Sequence, residues 1–314
     1  MNNKYLGIDT SNYTSSCAVY NADDNTMNSL KKLLPVSEGQ LGLRQSDAVF
    51  HHTKNLPPLL SELCRKNSSD VRAVSASVSP RDAEGSYMPC FSVGEGYGMV
   101  LSSAFKAPFY RFSHQAGHVS AALWATGQAS LIDRDFIAFH VSGGTTDVLY
   151  VTPDKDKVFS IEMIASSLDL KAGQSVDRVG VMLGLDFPAG SELDKLACES
   201  DKSYKIKPFM RDGNCSFSGV ENKCRQMYEK GASSQDIAKY CIDYICTAVR
   251  KMTESALSLK GELPVIYAGG VMSNSIIQNT ISKEFNSYFA PACYSSDNAA
   301  GTAYLGYIRE TRKW

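Results

Sequence analysis

The chain has 314 residues, 43% of them hydrophobic and 21% charged, which predicts a packed globular protein of two ordinary-sized domains and excludes a largely disordered one. Its net charge is −1, so it lacks the overall basic character typical of proteins that bind nucleic acid unaided. No apolar run approaches the roughly 20 residues of a membrane-spanning helix and the polar start shows no secretory signal, so we expect a cytoplasmic protein without a membrane partner.

Strands are predicted where short apolar runs end in turn residues, in chain order at Tyr5–Asp9, Ser16–Tyr20, Val71–Val78, Phe136–Val141, Val148–Val151 and Val265–Ala268. Helices are predicted where apolar residues recur every three or four positions, at Lys54–Arg65, Val93–Phe105, Gln115–Trp124, Ser175–Leu183, Ile237–Leu257 and Asn298–Arg309. Because strands and helices alternate, we expect an α/β architecture.

One pattern occurs twice in the chain. An apolar strand runs into a turn of small residues at Asp9-Thr10-Ser11-Asn12 and again at 142–146 (Ser-Gly-Gly-Thr-Thr), and a second apolar strand follows each turn. Two equivalent hairpins indicate a duplicated domain, with one lobe over residues 1–133 and a second over 134–314 that carries a helical insertion at about 165–235. Two unrelated hairpins would give the same pattern, and this alternative stays open.

Both turns have the composition of an anion-binding site. Residues without bulky side chains let backbone N–H groups approach an anion, and serine and threonine hydroxyls add donors. We therefore expect phosphate contacts from Asp9, Thr10, Ser11, Ser142, Gly143, Gly144 and Thr145. Neither turn is of the Walker type, since no Gly-Lys-Ser/Thr follows, and a purely conformational role for the glycines stays open.

A third glycine turn and two carboxylates extend the list of candidate nucleotide contacts. Gly269 and Gly270 follow a predicted strand and precede a helical stretch, where a base or ribose can lie against backbone. An ordinary strand-to-helix turn is the alternative. Asp177 and Asp194 are candidates because a carboxylate near a nucleotide can hold ribose hydroxyls, although exposed helix carboxylates would look the same.

The histidines indicate a metal site. The nine cysteines include no Cys-x-x-Cys pair, which argues against a thiolate zinc site, whereas His114 and His118 lie four apart on one face of a predicted helix, a common metal chelate. Asp297 is a candidate further ligand or a helix N-cap, and His140 a candidate ligand or a buried strand histidine. No glutamate follows His114, so the pattern of zinc proteases is not met.

The chain has one basic segment, Lys202–Arg211, with the sequence KSYKIKPFMR. Its composition is that of a solvated loop. If RNA is the substrate, we therefore expect a partner protein to assist in binding it.

Taken in order, these motifs resemble the Gcp/TsaD family, the tRNA threonylcarbamoyladenosine transferases once labelled glycoproteases. The resemblance covers essentially the whole chain. It is carried by Leu6–Ser11, His114–His118, Val141–Thr145, Ala172–Gln174 leading to Asp177, Leu183–Gly190, Ser216–Gly219, Ala268–Val271 with Asn274, and Ser296–Ala300.

The resemblance implies the actin-like fold shared by acetate kinase, sugar kinases and Hsp70, two duplicated lobes with nucleotide between them. It implies one iron or zinc ion on His114, His118 and Asp297, with His140 where archaeal relatives carry a tyrosine beside the metal. It also implies a site for ATP or an acyl-adenylate lined by Val141–Thr145, Asp177, Gly190 and Asn274. The implied partners are tRNA with accessory proteins, or a related actin-like protein in a dimer.

The implied reaction is attack by the exocyclic amine of adenine in tRNA on an activated carbamoyl group that the metal polarises. Several positions depart from the family pattern, which is typical of a divergent paralogue: Asn12–Ser15, Val78–Asp82, Gln174 and Pro188–Ser191. Two alternatives therefore stay open. One is a carbamoyl transferase acting on a small molecule, and the other is a non-catalytic ATP-binding partner of an orthodox family member.

Overall fold

The computed structural model describes residues 3–11, 13–35, 43–67, 71–294 and 298–312, which form two compact units. The first unit comprises Met1–Asp133, Pro153–Ser160 and Cys293–Trp314, and the second Arg134–Thr152 and Ile161–Ala292. The lobes expected from the sequence, 1–133 and 134–314, place the C-terminal segment in the second lobe, whereas here its helix is buried against strands of the first unit.

The first unit contains a five-stranded sheet of order β3-β2-β1-β4-β5. Its strands are β1 (Lys4–Ser11), β2 (Thr14–Asn21), β3 (Thr26–Leu33), β4 (Val71–Ser79) and β5 (Phe109–Ser113). The first three form an antiparallel meander, whereas β4 and β5 run parallel to β1. The central strand β1 is buried over six successive residues, as expected for a strand covered on both faces.

Helices cover this sheet: α1 (Gln45–Asn67), α2 (Phe91–Phe105), α3 (His114–Ala125) and α9 (Asn298–Thr311). A 3₁₀ turn (Ala129–Asp133) follows α3. Two glycines allow α3 and α9 to touch backbone to backbone, since a Cβ on Gly301 would lie 1.8 Å from the Gly117 carbonyl oxygen. The α9 helix also presses on β1, where a Cβ on Gly7 would lie 2.2 Å from the Ala299 carbonyl oxygen.

The second unit repeats the topology with a sheet of order β8-β7-β6-β11-β12. Its strands are β6 (Phe136–Val141), β7 (Thr146–Asp154), β8 (Val158–Ser166), β11 (Val265–Ala268) and β12 (Ser287–Phe289). The β6 and β7 strands are antiparallel, and β11 and β12 run parallel to β6. The same strand order in both units confirms the predicted duplication.

The helices of the second unit are α4 (Ala172–Met182), α5 (Gly190–Cys198), α6 (Ser218–Glu229), α7 (Ser234–Lys260) and α8 (Ser275–Ile281). A two-stranded ribbon, β9 (Met210–Arg211) and β10 (Asn214–Cys215), precedes α6, and a 3₁₀ turn (Gly270–Ser273) precedes α8. Buried residues of α7 form much of the core. Within the described ranges, no helix is both long and apolar enough to cross a membrane.

Candidate functional site

The two histidines of the predicted metal site lie on the first turns of α3. The helix begins at His114 because the Ser113 hydroxyl caps it, accepting a hydrogen bond from the Ala116 N–H at 3.1 Å. The carbonyl of Pro80 accepts a second one from the Gln115 N–H at 3.1 Å. The imidazole rings of His114 and His118 are half-buried and their centroids are 4.7 Å apart, so the expected shared face is formed.

A buried carboxylate orients the first histidine. Asp9, at the end of β1, places Oδ1 3.0 Å from His114 Nδ1, and its Oδ2 accepts a bond from the Ser11 N–H at 3.3 Å. Burial alone would raise the pKa of Asp9, but the charge and hydrogen bond of His114, with bonds from Ser77 and Ser11, hold that pKa below its ordinary value. An ionised Asp9 favours the proton on Nδ1, so that in the neutral form of His114 it is Nε2 that carries the lone pair a metal would use.

A residue at the start of α9 also contacts this histidine. The side-chain amide of Asn298 donates to the His114 carbonyl oxygen at 2.8 Å and also contacts His114 Nδ1. Its own Oδ1 is buried and makes no hydrogen bond within the described residues. The glycine contact between α3 and α9 brings Asn298 to this position.

Two imidazoles, one of them held by a carboxylate, fit the donor set of an iron or zinc ion. Within the residues that the structure describes, however, no group of three His, Cys, Asp or Glu side chains converges on a metal-sized site. The predicted ligand Asp297 lies outside the described residues. His140 lies on β6 of the second unit, in register with Asp147 of β7.

The first of the two predicted anion-binding turns contains no glycine. Its predicted phosphate contacts form hydrogen bonds to groups within the first unit. The buried Thr10 hydroxyl donates to the Cys90 carbonyl oxygen at 2.9 Å and accepts from the Gly94 N–H at 3.1 Å. This clamp joins β1 to the start of α2.

The second turn closes on itself and docks on a helix. The N–H groups of Gly144 and Thr145 point at the Ser142 hydroxyl at 3.3 and 3.2 Å, and Ser142 N–H donates to the Thr145 carbonyl at 2.8 Å. At the start of α4, the Gly173 N–H donates to the Ser142 carbonyl oxygen at 3.2 Å. A Cβ on Gly173 would lie 2.6 Å from the Gly143 nitrogen, so the turn and the helix require this glycine to meet.

A cavity of about 500 Å³ in the second unit adjoins this turn. Six of the sequence-predicted contact residues line it: Gly143, Asp177, Gly190, Asp194, Gly270 and Asn274. A Cβ added to Gly143 or Gly270 would meet no atom within 4 Å, so these glycines leave open space and are not demanded by packing. A nucleotide-sized ligand would therefore meet backbone at this wall.

Gly269, by contrast, is required by the fold and does not line the cavity. Its φ is +106°, in the left-handed region, and a Cβ there would lie 2.0 Å from the Val141 carbonyl oxygen. Backbone conformation and close packing therefore explain why a glycine stands at this position, independently of the predicted nucleotide contact.

The carboxylates of the cavity have different partners. Asp194 accepts bonds from the Asn274 side-chain amide at 2.8 Å and from the Ser275 N–H at 3.2 Å, while Asn274 caps α8 by accepting from the Ile277 N–H. Asp177 accepts from the Ala189 N–H through Oδ1 at 3.0 Å. The Asp194–Asn274 pair thus builds part of the wall, and the second oxygen of Asp177 makes no hydrogen bond within the described residues.

A second, more open groove of about 620 Å³ shares Asp177 with this cavity. Arg178 and Arg225 both bind Glu221 there, at 3.1 and 2.9 Å, so the charges are largely satisfied. Six predicted contact residues line the glycine-lined cavity, whereas only Asp177 of them lines this groove, so the cavity is the better candidate for the nucleotide site.

Sequence reasoning missed three features of these sites: the Asp9–His114 contact, the role of Asn298 and the wall made by Asp194 with Asn274. Asp9 and Asn298 stood in recognised motifs, but 105 and 184 residues separate them from His114. Their small neighbours, Gly117 and Gly301, were the available signal of close approach between helices.

Comparison with known proteins agrees with the resemblance. The chain matches the family described as "TsaD: tRNA N6-adenosine threonylcarbamoyltransferase" over residues 38–304. Enzymes of that description from Sulfurihydrogenibium sp. and Archaeoglobus fulgidus are 30% and 28% identical, the first over 98% of this chain and 91% of its own length, the second over 85% and 80%.

Among solved structures, full-length HypF in a phosphate- and nucleotide-bound form aligns with a TM-score of 0.61 and 13% identity, over 99% of this chain and 56% of HypF. A ROK family glucokinase from Streptomyces griseus, in complex with glucose and AMPPNP, aligns with a TM-score of 0.53 and 10% identity, over 98% and 100%. These similarities confirm the expected α/β actin-like fold.

Proposed function

The chain belongs to the TsaD family, and from this premise we propose that it transfers a threonylcarbamoyl or carbamoyl group from an adenylate to an acceptor, the exocyclic amine of adenosine in tRNA. Relatives described as tRNA N6-adenosine threonylcarbamoyltransferases align over nearly the whole chain, which supports this acceptor. The observation that carries the proposal is the glycine-lined cavity of the second unit, where predicted contact residues from separate motifs converge.

We assign the adenylate to this cavity. The N–H groups of Gly144 and Thr145 make long bonds to the Ser142 hydroxyl, and an anionic phosphate would compete for them. The second oxygen of Asp177 would accept a bond from a ribose hydroxyl. Because Gly143 and Gly270 carry no side chain, the ligand would lie directly against backbone.

We assign the metal to His114 and His118, with Asp297 as the proposed third ligand and His140 as a further candidate. When bound there, an iron or zinc ion would act as a Lewis acid toward the carbamoyl carbonyl. The task of Asp9 is to hold the His114 proton at Nδ1, and that of Asn298 is to fix the start of α3. We propose that the histidine pair and the cavity are both required for transfer.

The proposal is tested by supplying purified protein with threonylcarbamoyl adenylate, unmodified tRNA and the accessory proteins of the pathway. Mass spectrometry of digested tRNA should then show threonylcarbamoyl adenosine. His114→Ala should lower product formation by at least about 100-fold, the scale of a lost metal centre. The matched control His51→Ala, on α1, should retain activity and metal content.

Three outcomes would contradict parts of the proposal. Absence of product with all partners supplied, while nucleotide binding is intact, would favour the non-catalytic ATP-binding partner. Product formation that survives His114→Ala unchanged would reject the metal assignment. Carbamoylation of a small hydroxyl compound in the same mixture, without tRNA modification, would transfer the assignment to the alternative acceptor.

A further inference from the structure

The basic segment of the second unit has a regular form that its composition did not predict. Residues 202–211, here called the basic ribbon, follow α5 and end in the short strand β9 (Met210–Arg211). Side chains alternate along it, with half-buried Tyr204, Ile206, Pro208 and Met210 between exposed Lys205, Lys207, Phe209 and Arg211. In an extended chain, side chains two residues apart project from one face about 6–7 Å from each other.

The inward face anchors the ribbon on α7. The Tyr204 hydroxyl donates to the Asp236 carbonyl oxygen at 3.2 Å, and its ring packs edge-on against Tyr240 with centroids 5.3 Å apart. The Phe209 N–H donates to the Tyr244 hydroxyl at 3.3 Å. Ile206 and Met210 pack against the core of the unit. A loop that only served solubility would need none of these anchors.

The lysines of the outward face have no paired carboxylate among the described residues. Within the described part of the chain, Lys202, Lys205 and Lys207 form no ion pair and no side-chain hydrogen bond. Arg211 lies 3.8 Å from Asp212, and both side chains are largely exposed. These lysines form a local row of positive charge on a protein whose net charge is −1.

An aromatic side chain stands in the same row. Phe209 is 55% exposed although its backbone is held by Tyr244, so its ring is presented to solvent from a fixed position. Cationic side chains interleaved with an exposed aromatic are the means by which proteins hold single-stranded nucleic acid, through phosphate contacts and base stacking. An acidic protein partner would pair with the lysines but would have no use for an isolated ring at this spacing.

We infer that the basic ribbon binds the backbone of a single-stranded RNA segment, with Lys205 and Lys207 on phosphates and Phe209 stacked on an unpaired base. The inference rests on the proposed function, in which RNA is the acceptor. It requires unstacked bases, which occur in tRNA loops and are absent from the interior of a duplex.

The test is equilibrium binding of a fluorescein-labelled, unmodified RNA stem-loop with an unpaired, adenosine-containing loop to the full chain, followed by anisotropy at several KCl concentrations. Lys205→Glu with Lys207→Glu should weaken binding about tenfold or more near 0.1 M salt and flatten the salt dependence, because each phosphate contact contributes a slope of about −0.7. The control pair Lys32→Glu with Lys283→Glu changes the net charge equally at exposed sites of β3 and of the turn that follows α8. It should bind nearly as the unaltered protein does.

Phe209→Ala separates stacking from charge. It should weaken binding about fivefold at every salt concentration and leave the slope unchanged, because stacking does not release counterions. Thermal unfolding of all variants should match that of the unaltered protein, since the altered side chains are exposed.

Three results would overturn the inference: equal weakening by the ribbon and control pairs, unchanged binding by the ribbon variants, or no RNA binding by the unaltered protein even at low salt. None of them decides the proposed function, which is measured separately as transfer with accessory proteins present. Conversely, salt-dependent binding at the ribbon without any transfer would uphold the inference and reject the proposed activity.

Discussion

The two candidate sites are built in opposite ways. In the first unit, Asp9, His114 and Asn298 form a hydrogen-bonded cluster around side chains, pressed together by glycines that allow helix backbones to touch. In the second unit, Gly143 and Gly270 at the cavity wall face open space, and side-chain bonds such as Asp194–Asn274 only shape the surroundings. Glycines in the first site allow close contact between backbones, whereas Gly143 and Gly270 in the second leave space for a ligand. Replacing a glycine should therefore lower stability in the first site and ligand binding in the second.

The largest effect is expected at the contact between α3 and α9. Gly301→Ala places a Cβ 1.8 Å from the Gly117 carbonyl oxygen, and the helices must separate. We expect a loss of about 1–3 kcal/mol in the free energy of unfolding, the cost of forcing extra atoms into a packed contact. Denaturant unfolding measures it. Gly219→Ala, at an exposed position of α6 with open space around it, is the control and should not destabilise.

The next effect concerns the histidine pair. Asp9→Asn removes the negative charge that holds the Nδ1 proton of His114, so the lone pair is less well directed. Affinity for zinc or iron should fall about 10- to 100-fold, as for other partners that orient ligating histidines. Competition with a chromophoric chelator measures this, and unchanged affinity would show that Asp9 is merely a structural neighbour.

In the cavity, the same kind of substitution should leave stability alone. Gly143→Ala meets no atom within 4 Å, so the free energy of unfolding should change by less than about 0.5 kcal/mol. Its methyl group would occupy space at the wall, and affinity for ATP should fall about tenfold, or about 1.4 kcal/mol. Calorimetric titration measures the affinity. A destabilised protein with normal affinity would break the contrast between the two sites.

The smallest effect is expected for Asp169→Asn, which should lower the stability of the second unit without changing ATP binding. Asp169 accepts bonds from the Phe217 N–H at 2.8 Å and the Ser218 N–H at 3.1 Å at the start of α6, and also from Ser216. Burial would raise its pKa, but these hydrogen bonds lower it to about 2. Since the folded pKa is depressed, its stabilisation is present above about pH 4 and is lost as pH falls toward about 2.

Asp169→Asn should therefore cost about 1 kcal/mol at neutral pH, as for other helix caps, and the difference from the unaltered protein should shrink as the pH is lowered through that range. Unfolding curves at several pH values measure it. ATP affinity should be unaffected. A deficit that persists at pH 2 would show that geometry and not charge is responsible.

Much of the architecture was predictable from local patterns. Apolar runs such as Tyr5–Asp9 and Phe136–Val141 predicted strands that the structure contains. The matching turns after them predicted the duplication that the two sheets confirm. The β3 strand was missed because most of its residues are exposed, and β12 because it has three residues. The short helices α5 and α6 are amphipathic but offer few buried positions.

The sites were predictable as motifs but not as geometry. That His114 and His118 share a face follows from helical spacing, whereas the bond from Asp9 depends on packing across distant segments. Thr10 appeared as a phosphate contact because a hydroxyl in a turn looks available, and only the fold shows it engaged by Cys90 and Gly94. Pairings set by tertiary structure leave no periodic trace in the chain.

The most direct test of the central claim is a crystal structure of the protein with a non-hydrolysable threonylcarbamoyl adenylate. We predict that the adenylate occupies the cavity lined by Gly143, Asp177 and Gly270, with a ribose hydroxyl bonded to Asp177. Density for the ligand elsewhere, with this cavity empty at saturating concentration, would contradict the account.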